Sequence, residues 1–178
     1  MRLNIGCGDW PLPGWTNLDA RAKCKPDVIA KVPPLPFADA SVEEIYTGHF
    51  VEHLTPKDAD KFLAECYRVL VPGGKLGVVV PDTRMIARAY VEQHGSVEYP
   101  EGTVRPMADL DEICAMFLYS TVQESPHRWS FDTDTLRRLL LRAGFYPTAE
   151  IDRCTDPRIP VHNWYSCGWD AVKPGGEA

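Results

Sequence analysis

Several short clusters in this 178-residue chain carry groups that can do chemistry. Gly6-Cys7-Gly8 follows the apolar run Leu3-Asn4-Ile5. A strand that ends in G-x-G presents backbone N–H groups with little side-chain bulk, which suits a bound cofactor or a plain tight turn. Asp19 closes a second run, Thr16-Asn17-Leu18, where a carboxylate can accept both hydroxyls of a ribose. His49, Glu52 and His53 stand at i, i+3 and i+4, so a helical turn there puts all three on one face. Such a set can include a general base, and a His–Glu pair can equally hold two loops together. Asp82 follows the run Leu76–Val80 and Pro81, placed either to touch a substrate or to make a turn. His127 and Trp129 precede a capped helix and can close over a ligand, although packing is an equal use for the indole.

The spacing excludes two common phosphate-binding devices. A nicotinamide site wants G-x-G-x-x-G with an acid about 20 residues on. Pro11 occupies the third glycine position, and Asp19 follows Gly8 too closely. No G-x-x-x-x-G-K-[ST] loop occurs either. Prolines 11 and 13 would disrupt the helix start that a pyrophosphate uses, a start that a ligand without phosphate does not need.

The elements that must position these groups follow from the patterning. Short strands are expected at Leu3–Ile5, Thr16–Leu18, Asp27–Ile29 and Val42–Thr47. Thr55 caps a helix with Pro56 at its first position, and Ala59, Phe62, Leu63, Cys66, Val69 and Leu70 recur at helical spacing. Pro72-Gly73-Gly74 is expected to stop it. Leu76–Val80 reads as a strand covered on both faces. Asp132 or Thr133 caps a helix with Leu136, Leu139, Leu140 and Ala143 inward and Gly144 at its end. Strands at Thr148–Arg153 and Trp164–Val172 finish the chain. This alternation predicts a parallel α/β sheet in a single domain, residues 1–178. Only Gly6–Trp15 and Ala20–Pro26 separate the first three strands, less than a normal crossover, so either that half of the sheet is compressed or the third strand lies elsewhere. Residues 83–128 are long for a connection and rich in aromatics and methionines (Tyr90, His94, Tyr99, Met107, Met116, Phe117, Tyr119). A lid or specificity insertion is expected there.

Composition narrows the partners. The net charge of −6 disfavours a large nucleic-acid footprint, which needs cations to neutralise phosphates. The six cysteines lack C-x-x-C pairs and zinc spacing, as expected of reduced thiols, with Cys7, Cys66 and Cys167 inside regular elements. No apolar run nears the roughly 18 residues of a membrane helix, and Met1-Arg2-Leu3 already enters a strand rather than a leader, so a cytoplasmic protein is expected.

Leu3–Gly8 followed by Pro13-Gly14-Trp15-Thr16-Asn17-Leu18-Asp19 resembles the first motifs of small class I methyltransferases of the type-11-like superfamily, which use S-adenosylmethionine (SAM). Leu35-Pro36-Phe37-Ala38-Asp39, Val42–Tyr46 and Val51-Glu52-His53-Leu54 resemble that family's L-P-F segment and fourth strand. Glu65–Gly74 resembles its helix-to-strand corner, and His127–Phe131 with Leu136–Phe145 a later segment. The resemblance runs in order through nearly the whole chain. It implies a Rossmann-like, mostly parallel seven-stranded sheet ending in a reversed hairpin.

Carried over by position, the resemblance implies Gly6, Cys7 and Gly8 against the methionyl and ribose parts of SAM, Asp19 on the ribose hydroxyls, Ala20 near the adenine, Val32 lining its pocket, and Gly48 and His49 under the amino-acid end. Asn4 stands where an acid is common, Trp10 where many relatives have a third glycine, and Lys31 where Asp is frequent, which leaves the adenine amine to backbone groups. The cover that relatives place before their first strand is expected from residues 83–128. Some small-RNA and quinone-precursor O-methyltransferases hold metal in an E-x-x-E-H segment similar to His49–His53, but many relatives carry Glu-His without one, and the expectation is a site with no metal. The catalytic candidates are His49, His53, Asp82 and His127.

The expected function is methyl transfer from SAM, leaving S-adenosylhomocysteine, to a small molecule or a sugar. No N-P-P-[YF] or Pro-Cys signature occurs, which favours oxygen as the acceptor. The alternative is a methyltransferase-like protein that binds SAM, or nothing, and acts through partners.

Overall fold

The computed structural model describes residues 1–92, 96–98, 104–106, 127–152, 155–159 and 165–175. Within them lie β1 (Arg2–Ile5), β2 (Thr16–Asp19), β3 (Val28–Ile29), β4 (Val42–Gly48), α1 (Pro56–Val69), β5 (Leu70–Pro81), α2 (Thr83–Glu92), β6 (Ser96–Glu98), β7 (Val104–Pro106), α3 (Thr133–Arg142), β8 (Tyr146–Glu150) and β9 (Ser166–Val172). Seven strands form one sheet in the order β3-β2-β1-β4-β5-β9-β8, and β6 and β7 make a separate two-stranded ribbon. β1 to β5 run parallel, and β9 is antiparallel to both β5 and β8. The mostly parallel sheet and its reversed C-terminal hairpin are as the sequence predicts.

Period-two alternation divides the sheet into two unlike faces. Leu3, Ile5, Ile45, Val78, Val80, Cys167 and Ala171 join one core cluster with Phe62, Leu63 and Cys66 of α1 and Leu136, Leu139 and Leu140 of α3. Tyr46 and Val79, which point the other way, pack with Ile151 and Ile159 and with Leu12 and Trp15 from loops. Helices therefore cover the first face, while loop segments cover the second.

The first half of the sheet is compressed, and the third strand is where the sequence places it. No helix joins β1 to β2, and only a 3-10 turn, Ala22–Cys24, lies between β2 and β3. Side-chain amides do the work of the missing crossover. Asn4 Nδ2 donates to Asn17 Oδ1 at 2.9 Å, and the same oxygen accepts the Leu12 N–H at 2.8 Å. Asn17 Nδ2 donates in turn to the carbonyls of Leu12 and Trp15. Asn4, at the position where an acid is common, thus pins the loop through its partner.

The α1 start follows its sequence signal, with the Thr55 hydroxyl accepting the Asp58 N–H. Its end differs. The helix stops at Val69, before Pro72-Gly73-Gly74, because its last carbonyls have other donors. Ala40 and Ser41 donate backbone N–H groups to Arg68 and Val69, and Lys173 Nζ reaches the carbonyls of Tyr67 and Leu70. Asp132 rather than Thr133 caps α3, and Gly144 takes a φ of +88° at its end. β8 begins at Tyr146, earlier than predicted, since Pro147 is tolerated on an edge strand. Cys66 and Cys167 are buried within elements, whereas buried Cys7 lies in the turn after β1. Among the described residues no helix is long and apolar enough to cross a membrane. Cys114, Cys154, and the lid candidates His94, Tyr99, Met107, Met116, Phe117 and Tyr119, like the Tyr90 side chain, lie outside the described residues.

Candidate active site

The glycine loop forms one wall of a cleft at the carboxyl edge of β1 and β4. Gly6 and Gly8 take φ values of +70° and +52°, which L side chains avoid. Gly6 is also fixed by packing: a Cβ there would meet the Phe50 ring at 2.6 Å. Phe50 itself stacks edge-on against Phe62 of α1. The turn is closed by Gly6 and Cys7 N–H groups on the Leu18 carbonyl. Gly6, Cys7, Gly8, Gly48, His49 and Tyr165 are among the residues lining the cleft, whose volume is about 380 Å³. That lies within the range of roughly 300–1,000 Å³ usual for cofactor and ligand pockets. Burial, then the charge of Asp19, push the Cys7 thiol up to about 11, so at neutral pH it is an unreactive wall. The Tyr46 hydroxyl is buried without a hydrogen-bond partner among the described residues, and a Cβ on Gly48 would come within 2.7 Å of it.

Asp19 sits beside this loop with 6 % exposure. Its Oδ2 accepts the Gly8 N–H at 2.9 Å, and its Oδ1 accepts the Arg21 N–H at 2.8 Å. The Arg21 guanidinium then spans both oxygens, Nε to Oδ1 at 3.1 Å and an Nη to Oδ2 at 3.3 Å. Burial alone would raise the carboxyl, but the hydrogen bonds from Arg21 and Gly8 outweigh it and hold it below the ordinary range. Asp19 is therefore an ionised acceptor, as a ribose diol requires, but its free lone pairs are occupied by Arg21. The Arg21 side chain is 49 % exposed, so it has solvent to swing into. The residues present fit SAM by the volume of the cleft, the glycine backbone and the ionised carboxylate, provided Arg21 moves aside. Ala20 is exposed beside Asp19. Buried Val32 lines a separate cavity of about 860 Å³ with Lys31, Pro33 and His53.

The histidines divide differently from the helical expectation. The chain after β4 makes only a 3-10 turn, Val51–His53, and His49 takes a φ of +52°. His49 and Glu52 still meet, with Nδ1 3.3 Å from Oε1, but His53 does not share their contact. Its ring lies 4.8 Å from that of His127, edge to face. The Arg128 and Trp129 N–H groups both bond the Glu52 carbonyl, which holds the 127–131 segment there. Burial keeps His127 below the usual histidine value, against the opposing pull of the Glu52 charge. Glu52, His53 and His127 form the described His/Glu group with metal-ligand proximity, so His127 replaces His49 in the predicted set.

Asp82 is 7 % exposed, and its Oδ1 accepts the N–H groups of Arg84 and Met85 at the start of α2. Its carboxylate acts as a helix cap. Trp129 packs on the core against Phe131. Arg138 and Arg142 are exposed on α3, while Arg137 lies over Trp169.

Three residues at the cleft escape the sequence reading. Arg21 has a local signal, two positions past the acid, but nothing in the pattern says it folds back. Tyr165 stacks edge-on to His49 with centroids 6.0 Å apart. Arg158 lies over the Tyr46 ring at 5.1 Å and is held by Asp156 and Asp170. Both come from the far end of the chain.

Residues 16–78 match the family model described as a methyltransferase domain. The fold is similar to that of a SAM-dependent methyltransferase from Methanosarcina mazei, with a TM-score of 0.58, 18 % identity, and 98 % of this chain and 92 % of that one covered. A SAM-dependent methyltransferase from Mesorhizobium loti gives 0.57, 16 %, 96 % and 90 %. The Burkholderia thailandensis 1,6-didemethyltoxoflavin-N1-methyltransferase, with bound 1,6-didemethyltoxoflavin and S-adenosylhomocysteine, gives 0.57, 15 %, 97 % and 70 %. No protein of curated function matches the chain in sequence.

Proposed function

We propose that this chain is a class I, SAM-dependent methyltransferase that methylates a small molecule, a sugar being one such acceptor, at an oxygen atom, with His49 as the general base. SAM supplies the electrophilic methyl group. The chain's own residues bind it, align the acceptor and remove a proton. Backbone at Gly6–Gly8 lies along the methionyl and ribose parts, and Asp19 accepts the ribose hydroxyls once Arg21 withdraws. Methyl transfer is an in-line displacement, so the main demand is alignment and exclusion of water. An alcohol must also lose its proton, which calls for a base at hydrogen-bond reach.

The observation that carries this reading is the placement of His49. Its ring lines the cleft, its Nδ1 faces the buried Glu52 carboxylate at 3.3 Å, and its Nε2 lies 3.0 Å from Ser166 Oγ. A tautomer with the proton on Nδ1 turns that N–H toward the Glu52 carboxylate and leaves Nε2 as the acceptor. A substrate hydroxyl that displaces Ser166 would then give its proton to Nε2. The net charge of −6 and the modest cleft support a small acceptor over a nucleic acid.

The test is release of S-adenosylhomocysteine with panels of sugars, phenols, amines and thiols. Turnover with hydroxyl compounds is expected, and turnover confined to amines or thiols would overturn the oxygen assignment. His49→Ala should keep SAM binding and lose about 10²–10⁴ in kcat on a hydroxyl acceptor. An unchanged kcat would remove His49 from the reaction.

One observation favours a second reading, a SAM-fold protein that acts through a partner. Arg21 occupies both oxygens of Asp19. Calorimetric titration with SAM and with S-adenosylhomocysteine separates the two, since binding of neither would favour the partner reading.

A further inference from the structure

A buried carboxylate is expected to be paired or hydrogen-bonded, because an unpaired one costs several kcal/mol. Glu52 is 1 % exposed, yet neither of its oxygens has a hydrogen-bond partner among the described residues. The buried Nδ1 of His53 has none either. His49 Nδ1 comes within 3.3 Å of Oε1, short of hydrogen-bond alignment, and leaves Oε2 unaddressed. His127 closes the group: one donor atom each from Glu52, His53 and His127 lies within 4.8 Å of the others. Backbone geometry enforces this. The Val51–His53 turn makes Glu52 and His53 neighbours, and two N–H groups on the Glu52 carbonyl hold residue 127 against them.

We infer that Glu52, His53 and His127 bind one divalent transition-metal ion, of the kind represented by Mn²⁺ and Zn²⁺. Two imidazoles and a carboxylate suit such ions, whereas Mg²⁺ and Ca²⁺ favour all-oxygen shells. Metal–ligand bonds of about 2.0–2.2 Å put donor atoms roughly 3–4 Å apart, so the farthest pair closes by about 1–2 Å on loading. The ion neutralises the buried carboxylate that nothing else fully pairs. Three protein donors leave coordination positions open for water or another oxygen ligand. Because Glu52 also faces His49, the ion sits beside the proposed base, and an acceptor oxygen is the ligand that position suits. That last role rests on the methyl-transfer reading, while the metal site itself does not.

The experiment uses the whole chain, stripped with EDTA and titrated with Mn²⁺ and then Zn²⁺ by calorimetry, without SAM. One ion per chain is expected, with a metal-dependent rise in Tm. Glu52→Gln and His127→Ala should each weaken binding by about tenfold or more and lose that rise. His127 is only half-buried, so His127→Ala keeps the test alive should the Glu52 variant fail to fold. Cys24→Ser, which removes an accessible thiol, should bind as the parent does. Absence of binding by the parent, equal binding by His127→Ala, or loss of binding in Cys24→Ser would each overturn the site. SAM is titrated separately, so failure to bind SAM would remove the methyl-transfer reading and leave the metal result standing.

Discussion

Asp19 and Arg21 show how one residue can control another's availability. The carboxylate at the end of β2 is legible from sequence because it closes the run Thr16-Asn17-Leu18 soon after the glycine loop. Its occupation is not, because Arg21 contacts Asp19 by folding back within a loop. In the proposed SAM-bound state, these two hydrogen bonds, of 3.1 and 3.3 Å, are exchanged for the ribose hydroxyls. The guanidinium is half exposed, so its ion pair contributes little to stability. Arg21→Ala is therefore expected to tighten SAM binding a few-fold, by about fivefold at most if the displaced contacts contribute about 1 kcal/mol. Calorimetry on the two proteins measures it, and weaker binding would mean that Arg21 helps hold the cofactor. The histidines give the complementary lesson. Their spacing suggested one shared face, but a 3-10 turn and a left-handed His49 send His49 and His53 to different partners.

Among the elements, α3 is where local sequence and local structure agree most closely. Its three inward leucines are buried and Asp132 caps it, the Thr135 N–H lying 2.7 Å from Oδ1. Hydrogen bonds from the Thr135 side chain and backbone, helped by Arg84, hold the Asp132 carboxyl down to about 2. An unfolded aspartate titrates near 3.9, so the cap's extra stability is complete above about pH 4 and fades as the pH falls toward 2. Asp132→Ala should cost about 1 kcal/mol at pH 7. Asp132→Asn should keep most of the cap and lose this part of the acid dependence, as urea unfolding at pH 7 and pH 3 would show. The end of α1 was less legible. Proline and glycine marked a stop at residue 72, but the carbonyls were taken earlier by Ala40, Ser41 and Lys173, which are distant in sequence.

For the whole molecule, the sheet's two faces set what ligand can bind and where. One face is closed by helices, and the other by loops that the Asn4–Asn17 network holds down. The cleft opens at the carboxyl edge, as open α/β sheets arrange it. SAM at a hundredfold its Kd should raise unfolding stability by about 2.7 kcal/mol, read as an increase in Tm, with no increase from NAD. An equal response to NAD would contradict the exclusion drawn from Pro11 and the position of Asp19. Outside residues 83–128, the strand and helix order was legible in the sequence alone, as were the glycine turn and the acid of β2. Those features rest on periodicity, backbone dihedral demands and short-range spacing, which a local stretch of residues encodes. Tertiary structure alone decided that Arg21 shields Asp19, that His127 rather than His49 joins Glu52 and His53, and that Tyr165 and Arg158 reach the cleft. Those pairings depend on which chain segments the sheet order and the backbone bonds to Glu52 bring together, and local periodicity carries no record of such distant contacts.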